Sequence, residues 1–282
     1  MASVSATFSP DVNDAAQVRP HASPLARRFA TLHAEGRRAL VCYVTAGHPD
    51  RGRSLALLRG LEAAGADVIE IGVPFSDPLA DGPVIQDSSQ QAIAGGMNLD
   101  GCLTLIAEAA LTIPVVLFSY LNPIMAAGDH VLARARAAGV SGILITDLPV
   151  GADPEREAWL GASGLDFIRL VAPTTPLARM REIGEHGGGF VYLISRMGVT
   201  GEQSTVAVDL PEIVVRLRSV TSLPVCVGFG IATPAQAREV SRLGDGVIVG
   251  SALVRAANTS VERALTLVAA MRHAMDESAA RT

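Results

Sequence analysis

The sequence predicts a single-domain (β/α)8 barrel, and three observations predict it. Eight short, β-branched apolar segments recur along the 282 residues. Each is followed by an Ala/Leu/Arg/Glu-rich segment at helical spacing, and no linker or composition shift divides the chain. Eight parallel-type strands with eight following helices is the count that closure requires, with a doubly wound open sheet as the alternative architecture.

The strand segments are 39–46, 67–73, 115–121, 142–147, 166–171, 190–195, 224–229 and 246–250. Helical spacing covers 51–64, 100–111, 124–138, 153–163, 176–186, 209–219, 234–243 and 259–275. A further helix at 24–35 precedes the first strand, and a short one at 84–94 follows the second. Thr175-Pro176 and Thr233-Pro234 each place a capping hydroxyl before a proline at a first helical position. Residues 1–24, rich in Ser, Ala, Pro, Asp and Asn, read as a disordered tail. They lack the apolar stretch of a secretory signal, and Asp11 and Asp14 are out of place in a transit peptide. The barrel is expected over 25–275, with a short tail at 276–282.

Composition excludes several classes of function. The net charge of −5 argues against a nucleic-acid scaffold. No apolar run reaches the roughly 18 residues of a membrane span. Cys42, Cys102 and Cys226 are odd in number and widely spaced, which fits a reducing compartment and a cytoplasmic protein. His48, His130 and His186 are isolated and no metal-binding spacing occurs, so no metal is expected. All 23 basic residues are arginine. No side chain can therefore form a Schiff base, because a guanidinium stays protonated.

Chemistry in such barrels sits at the C-terminal ends of the strands. Glu70, in DVIEIGVPF, shares a strand face with Val68 and Gly72, the face that would point into the lumen. There it is either a satisfied structural acid or an acid/base with a raised pKa. Asp77 and Asp81 lie in the long Pro/Gly-rich loop that follows. Either could be a turn former, but loops of that length at this end tend to be functional. SRMGVTGEQST, at 195–205, is either a solvated loop or a lid. The glycine-bearing ends VGFGIATP and VGSAL follow strands seven and eight, the recurrent phosphate site of this fold. Tyr192 is placed either in the core or on the wall of an aromatic pocket.

The segments DVIEIGVPFSDPLADGPVIQ, LVAPTTP, YLISRMGVTG, VGFGI and VGSAL resemble the tryptophan synthase α subunit family, in order and over about residues 25–275. FSDPLADGP with its preceding glutamate is the specific part; GFGI and GSA are shared with other phosphate barrels. The resemblance implies a lyase of tryptophan biosynthesis that cleaves indole-3-glycerol phosphate to indole and glyceraldehyde 3-phosphate. It implies Glu70 and Asp81 as catalytic carboxylates, with Tyr192, Tyr43 and Phe118 lining the indole pocket. Thr200 would meet Asp81 from a closing loop, and Gly201, Gly230, Gly250 and Ser251 would offer donors to phosphate. It implies no cofactor in this chain and a β subunit that carries pyridoxal phosphate in an α2β2 heterotetramer, contacted near Asp77, Asn122 and Pro149. The chain departs from the family pattern at Gln91 (commonly Arg), Ala232 (Ser), His48 (Asp) and Tyr43 (Phe). None of these touches the two acids. A stand-alone indole-releasing enzyme, a non-catalytic activator of a β subunit and a sugar-phosphate isomerase are the competing readings.

Overall fold

The computed structural model describes residues 23–195, 209–228 and 230–279. Residues 1–22 of the expected 1–24 tail lie outside them, as do residues 196–205 of the loop expected after strand six, with Thr200 and Gly201. Eight parallel strands close into a barrel in chain order: β1 (Ala39–Thr45), β2 (Val68–Gly72), β3 (Val115–Ser119), β4 (Val140–Ile145), β5 (Asp166–Val171), β6 (Val191–Ile194), β7 (Val225–Gly228) and β8 (Gly246–Val249). β8 pairs back onto β1, with Ala39 opposite Gly246.

Strand alternation sorts the residues. Cys42, Ile69, Ile71, Leu117, Ile143 and Val247 face the surrounding helices, while Val41, Val68, Val116, Leu144, Ile168, Phe190, Tyr192 and Ile248 fill the lumen. The N-terminal end of the lumen is closed by α1 (Pro24–Ala34), whose Leu25, Phe29 and Leu32 join the interior cluster. Phe29 packs at 5.7 Å from Phe190. Apolar side chains thus fill the lumen beneath its C-terminal mouth.

The outer helices are α2 (Arg51–Leu61), α3 (Pro83–Ala94), α4 (Leu99–Ala109), α5 (Leu121–Ala126), α6 (Val131–Ala138), α7 (Pro154–Gly161), α8 (Leu177–Glu185), α9 (Leu210–Arg218), α10 (Pro234–Ser241), α11 (Ser251–Thr259) and α12 (Val261–Ala279). Three differences from the sequence expectation have local causes. The segment 124–138 is two helices, because the chain turns at Gly128, where φ is +81°. A helix, α11, occupies 251–259 directly after β8, and α12 runs on to Ala279. Thr175 does not cap α8: its hydroxyl accepts from the Ala172 amide at 3.1 Å, and the helix starts one residue later with Pro176 at the cap. Thr233 does cap α10, in a reciprocal box with Gln236.

Asp67, at the foot of β2, ties the base of the barrel together. It is buried and accepts from the Leu40 amide at 2.8 Å, from Arg28 of α1 and from Arg272 of α12 at 3.1 Å. Breaking a buried ionic cluster by removing one member leaves the others uncompensated, a loss of about 3–5 kcal/mol. Asp67→Ala should therefore lower unfolding free energy by about 3 kcal/mol, read by urea denaturation. A change below 0.5 kcal/mol would show that the cluster holds nothing.

Candidate functional site

At the open end, Glu70 is fully buried on the lumen face of β2, in register with Tyr43 of β1 and Val116 of β3. Neither carboxyl oxygen has a hydrogen-bond partner among the described residues. Burial without a partner penalises the charged form and pushes its pKa up to about 8.

Asp81 reaches the same space from the loop between β2 and α3. The loop is braced from within: the Asp81 amide donates to the Pro78 carbonyl at 3.1 Å, and Gln86 Nε2 donates to the Asp81 carbonyl at 2.8 Å. The side chain is aimed by Tyr120, at the end of β3. Its hydroxyl donates to Asp81 Oδ2 at 2.9 Å and accepts from the Ala80 amide at 2.9 Å. Burial raises the Asp81 pKa to about 6, with the Tyr120 hydrogen bond pulling the other way.

Aromatic rings form the walls. Tyr43 and Phe118 meet edge to face at 5.3 Å, and Tyr192 stands across the lumen on β6. Glycines on neighbouring strands admit both tyrosine tips. A Cβ on Gly72 would lie 2.1 Å from the Tyr43 hydroxyl, and one on Gly228 would lie 2.4 Å from that of Tyr192.

The far side of the hollow is built from the ends of β7 and β8. Gly230 has φ +79°, a conformation that favours glycine. Of the two helices starting here, α10 has its first amides engaged: Gln236 accepts from Ala232 and Thr233, and Thr233 accepts from Gln236. By contrast, α11 begins at Gly250 with no side-chain cap. Its first-turn amides and its dipole are turned to whatever enters, an arrangement suited to an anion.

A single hollow joins these parts. Glu70, Asp81, Tyr43, Phe118, Tyr192, Gly230, Gly250 and Ser251 all line it. Thr200 and Gly201 lie outside the described residues. Sequence reasoning missed Tyr120, Ile248 and Arg255. A tyrosine just past a strand end was the signal for the first. Of the departures from the family pattern, Gln91 is exposed and donates to Asp87 at 2.7 Å, His48 is buried, and Ala232 lies on the hollow. Among the described residues, no three His, Cys, Asp or Glu side chains gather as a metal set.

The family model described as tryptophan synthase alpha chain matches residues 29–281. The chain is a member of the tryptophan synthase alpha chain family. A tryptophan synthase alpha chain from Desulfatibacillum aliphaticivorans is 46% identical over 237 residues, which span 83% of this chain and 89% of that one. Among solved structures, tryptophan synthase from Mycobacterium tuberculosis superposes with a TM-score of 0.84 at 36% identity, covering 90% of this chain and 99% of that one. The alpha subunit from Legionella pneumophila gives 0.81 at 33% identity, covering 91% and 100%. Tryptophan synthase alpha chains are lyases of tryptophan biosynthesis that cleave indole-3-glycerol phosphate, and this chain is a lyase of that class.

The Tyr192 seat yields a direct test. Gly228→Ala places a methyl inside the ring tip of a buried tyrosine, and overpacking of this kind costs about 1–3 kcal/mol. Chemical denaturation should register that loss; wild-type stability in the variant would place Tyr192 elsewhere.

Proposed function

We propose that this lyase cleaves indole-3-glycerol phosphate with Glu70 and Asp81 as its catalytic carboxylates. The observation that carries the reading is the split in their environments around one hollow. An unpartnered, fully buried carboxyl and a hydrogen-bonded, partly solvated one lie beside aromatic walls and an uncapped helix start.

Retro-aldol cleavage needs somewhere for the bonding electrons to go. Indole supplies it: protonation at ring carbon C3 makes an indolenine, whose C=N accepts the pair as the C–C bond breaks. The protein then has only protons to move. Glu70, neutral until its pKa near 8, donates to C3, and the resulting carboxylate takes the proton of the glycerol hydroxyl as the aldehyde forms. Asp81, ionised above about pH 6, stabilises the positive charge that develops at the ring N–H. Tyr43, Phe118 and Tyr192 hold the indole, and the amides at Gly230, Gly250 and Ser251 hold the phosphate away from the breaking bond. The chain itself carries no cofactor.

The chain works with a tryptophan synthase β subunit, which carries pyridoxal phosphate, in an α2β2 heterotetramer. Exposed Asp77 and Pro149 stand on the rim loops after β2 and β4, and exposed Asn122 lies in the first turn of α5 after β3. Leu79, two residues before Asp81, is 91% exposed, a large apolar side chain set for burial by a partner.

Release of indole from indole-3-glycerol phosphate by the isolated chain, then with added β subunit, tests the reading. Glu70→Gln should lower kcat by at least about 10²-fold while glycerol 3-phosphate binding stays within twofold, by calorimetry. Near-normal turnover in that variant would sink the assignment. The plot of kcat/KM against pH should be bell-shaped, falling below about 6 as Asp81 gains a proton and above about 8 as Glu70 loses one. Tyr120→Phe removes a hydrogen bond that favours the Asp81 carboxylate, so the acid limb should move to higher pH and the alkaline limb should stay. An acid limb that does not move would detach Asp81 from that limb.

A further inference from the structure

We infer that Arg255 is the charge-reading residue of the phosphate subsite, binding the substrate phosphate through its guanidinium alongside the backbone amides. The inference rests on the phosphate reading of the hollow above. Among the described residues lining that hollow, Arg255 is the one cationic side chain. It lies four residues after Ser251 within α11, so both share one helix face a turn apart. Long helical side chains tend to lean back toward the N-terminus, and Arg255 lines the same hollow as Gly250 and Ser251, where the amides have no side-chain cap.

Electrostatics give the contact a purpose. The hollow contains two acids, Glu70 and Asp81, in a chain of net charge −5. A phosphate dianion entering it meets repulsion once Asp81 is ionised. Backbone amides bind any oxyanion and discriminate weakly by charge. A permanently protonated guanidinium favours the dianion and offers paired donors to two of its oxygens. Arg255 is half-buried, and it also borders a side hollow with His48, Asp87 and Asn258.

The experiment compares the full chain with Arg255→Gln and Arg255→Lys, using glycerol 3-phosphate and indole as separate probes in calorimetry. Arg255→Gln should weaken glycerol 3-phosphate by about tenfold, the scale of one charge-assisted contact, while indole binds within twofold of wild type. The same variant should raise KM for indole-3-glycerol phosphate and leave kcat within twofold. Arg255→Lys should recover part of the loss, since the charge returns without the paired donors. Unchanged glycerol 3-phosphate affinity in a folded Arg255→Gln chain overturns the inference, as does equal weakening of both probes. Should the variants not fold, the wild-type chain serves. Glycerol 3-phosphate should protect Arg255 from modification by phenylglyoxal, read by peptide mass spectrometry, and no protection overturns the inference. Protection in a chain that releases no indole would leave Arg255 in place and remove the lyase reading instead.

Discussion

The buried carboxyl of Glu70 sets terms for everything around it. A group whose pKa rises from 4.5 to about 8 on folding opposes the folded state throughout the interval between those values. Its stability contribution is whole below pH 4.5 and is lost as pH climbs toward 8, at about 1.4 kcal/mol per unit. The barrel tolerates this because the layers beneath it are apolar and solid. α1 seals the base, Phe29 and Phe190 fill the first turn of the lumen, and Asp67 pins β2 three residues ahead of Glu70. A softer base would let the strand shift or admit water, and the carboxyl would relax toward its ordinary value.

Asp81 shows the opposite solution on the same strand's outgoing loop. Its oxygen is held by a tyrosine hydroxyl that is itself oriented by the preceding amide, so the side chain is aimed at modest energetic cost. Two carboxyls with different surroundings can carry different protonation states at one pH. The pair is useful because β2 supplies one acid from its lumen face and the other from the end of its own loop. Both acids thus come from one strand and its outgoing loop, with Tyr120 at the end of the neighbouring strand fixing the aim of the second.

Much of this was legible in the sequence. Short runs of Val, Ile and Leu mark strands because parallel barrel strands are buried on both faces, and alternation alone placed Glu70 beside Val68 in the lumen. The (β/α)8 architecture followed from the count. What escaped reading was set by neighbours distant in sequence or by weak local signals. Tyr120 aims Asp81 across 39 residues, through the adjacency of β2 and β3. α11 was hidden because SALVRAANT follows an apolar strand with only a glycine between, so its start carries no side-chain cap to read. Thr175 and Thr233 carry the same Thr-Pro pair, yet only the second caps. The difference lies in Gln236, whose side chain completes the box, whereas the Thr175 hydroxyl turns back to the Ala172 amide.

The glycines opposite the two lumen tyrosines bear on how such a site can change over generations. At Gly72 the obstruction comes from the ring carbon of Tyr43 at 2.6 Å as well as from its oxygen, and at Gly228 the Tyr192 ring carbon stands equally close. Exchanging either tyrosine for phenylalanine would leave that carbon in place, so the glycine would still be required. A lineage remodelling this pocket must shorten the aromatic before it can gain any side chain on the adjoining strand. The reverse order passes through an overfilled intermediate, which makes the history of the pocket directional.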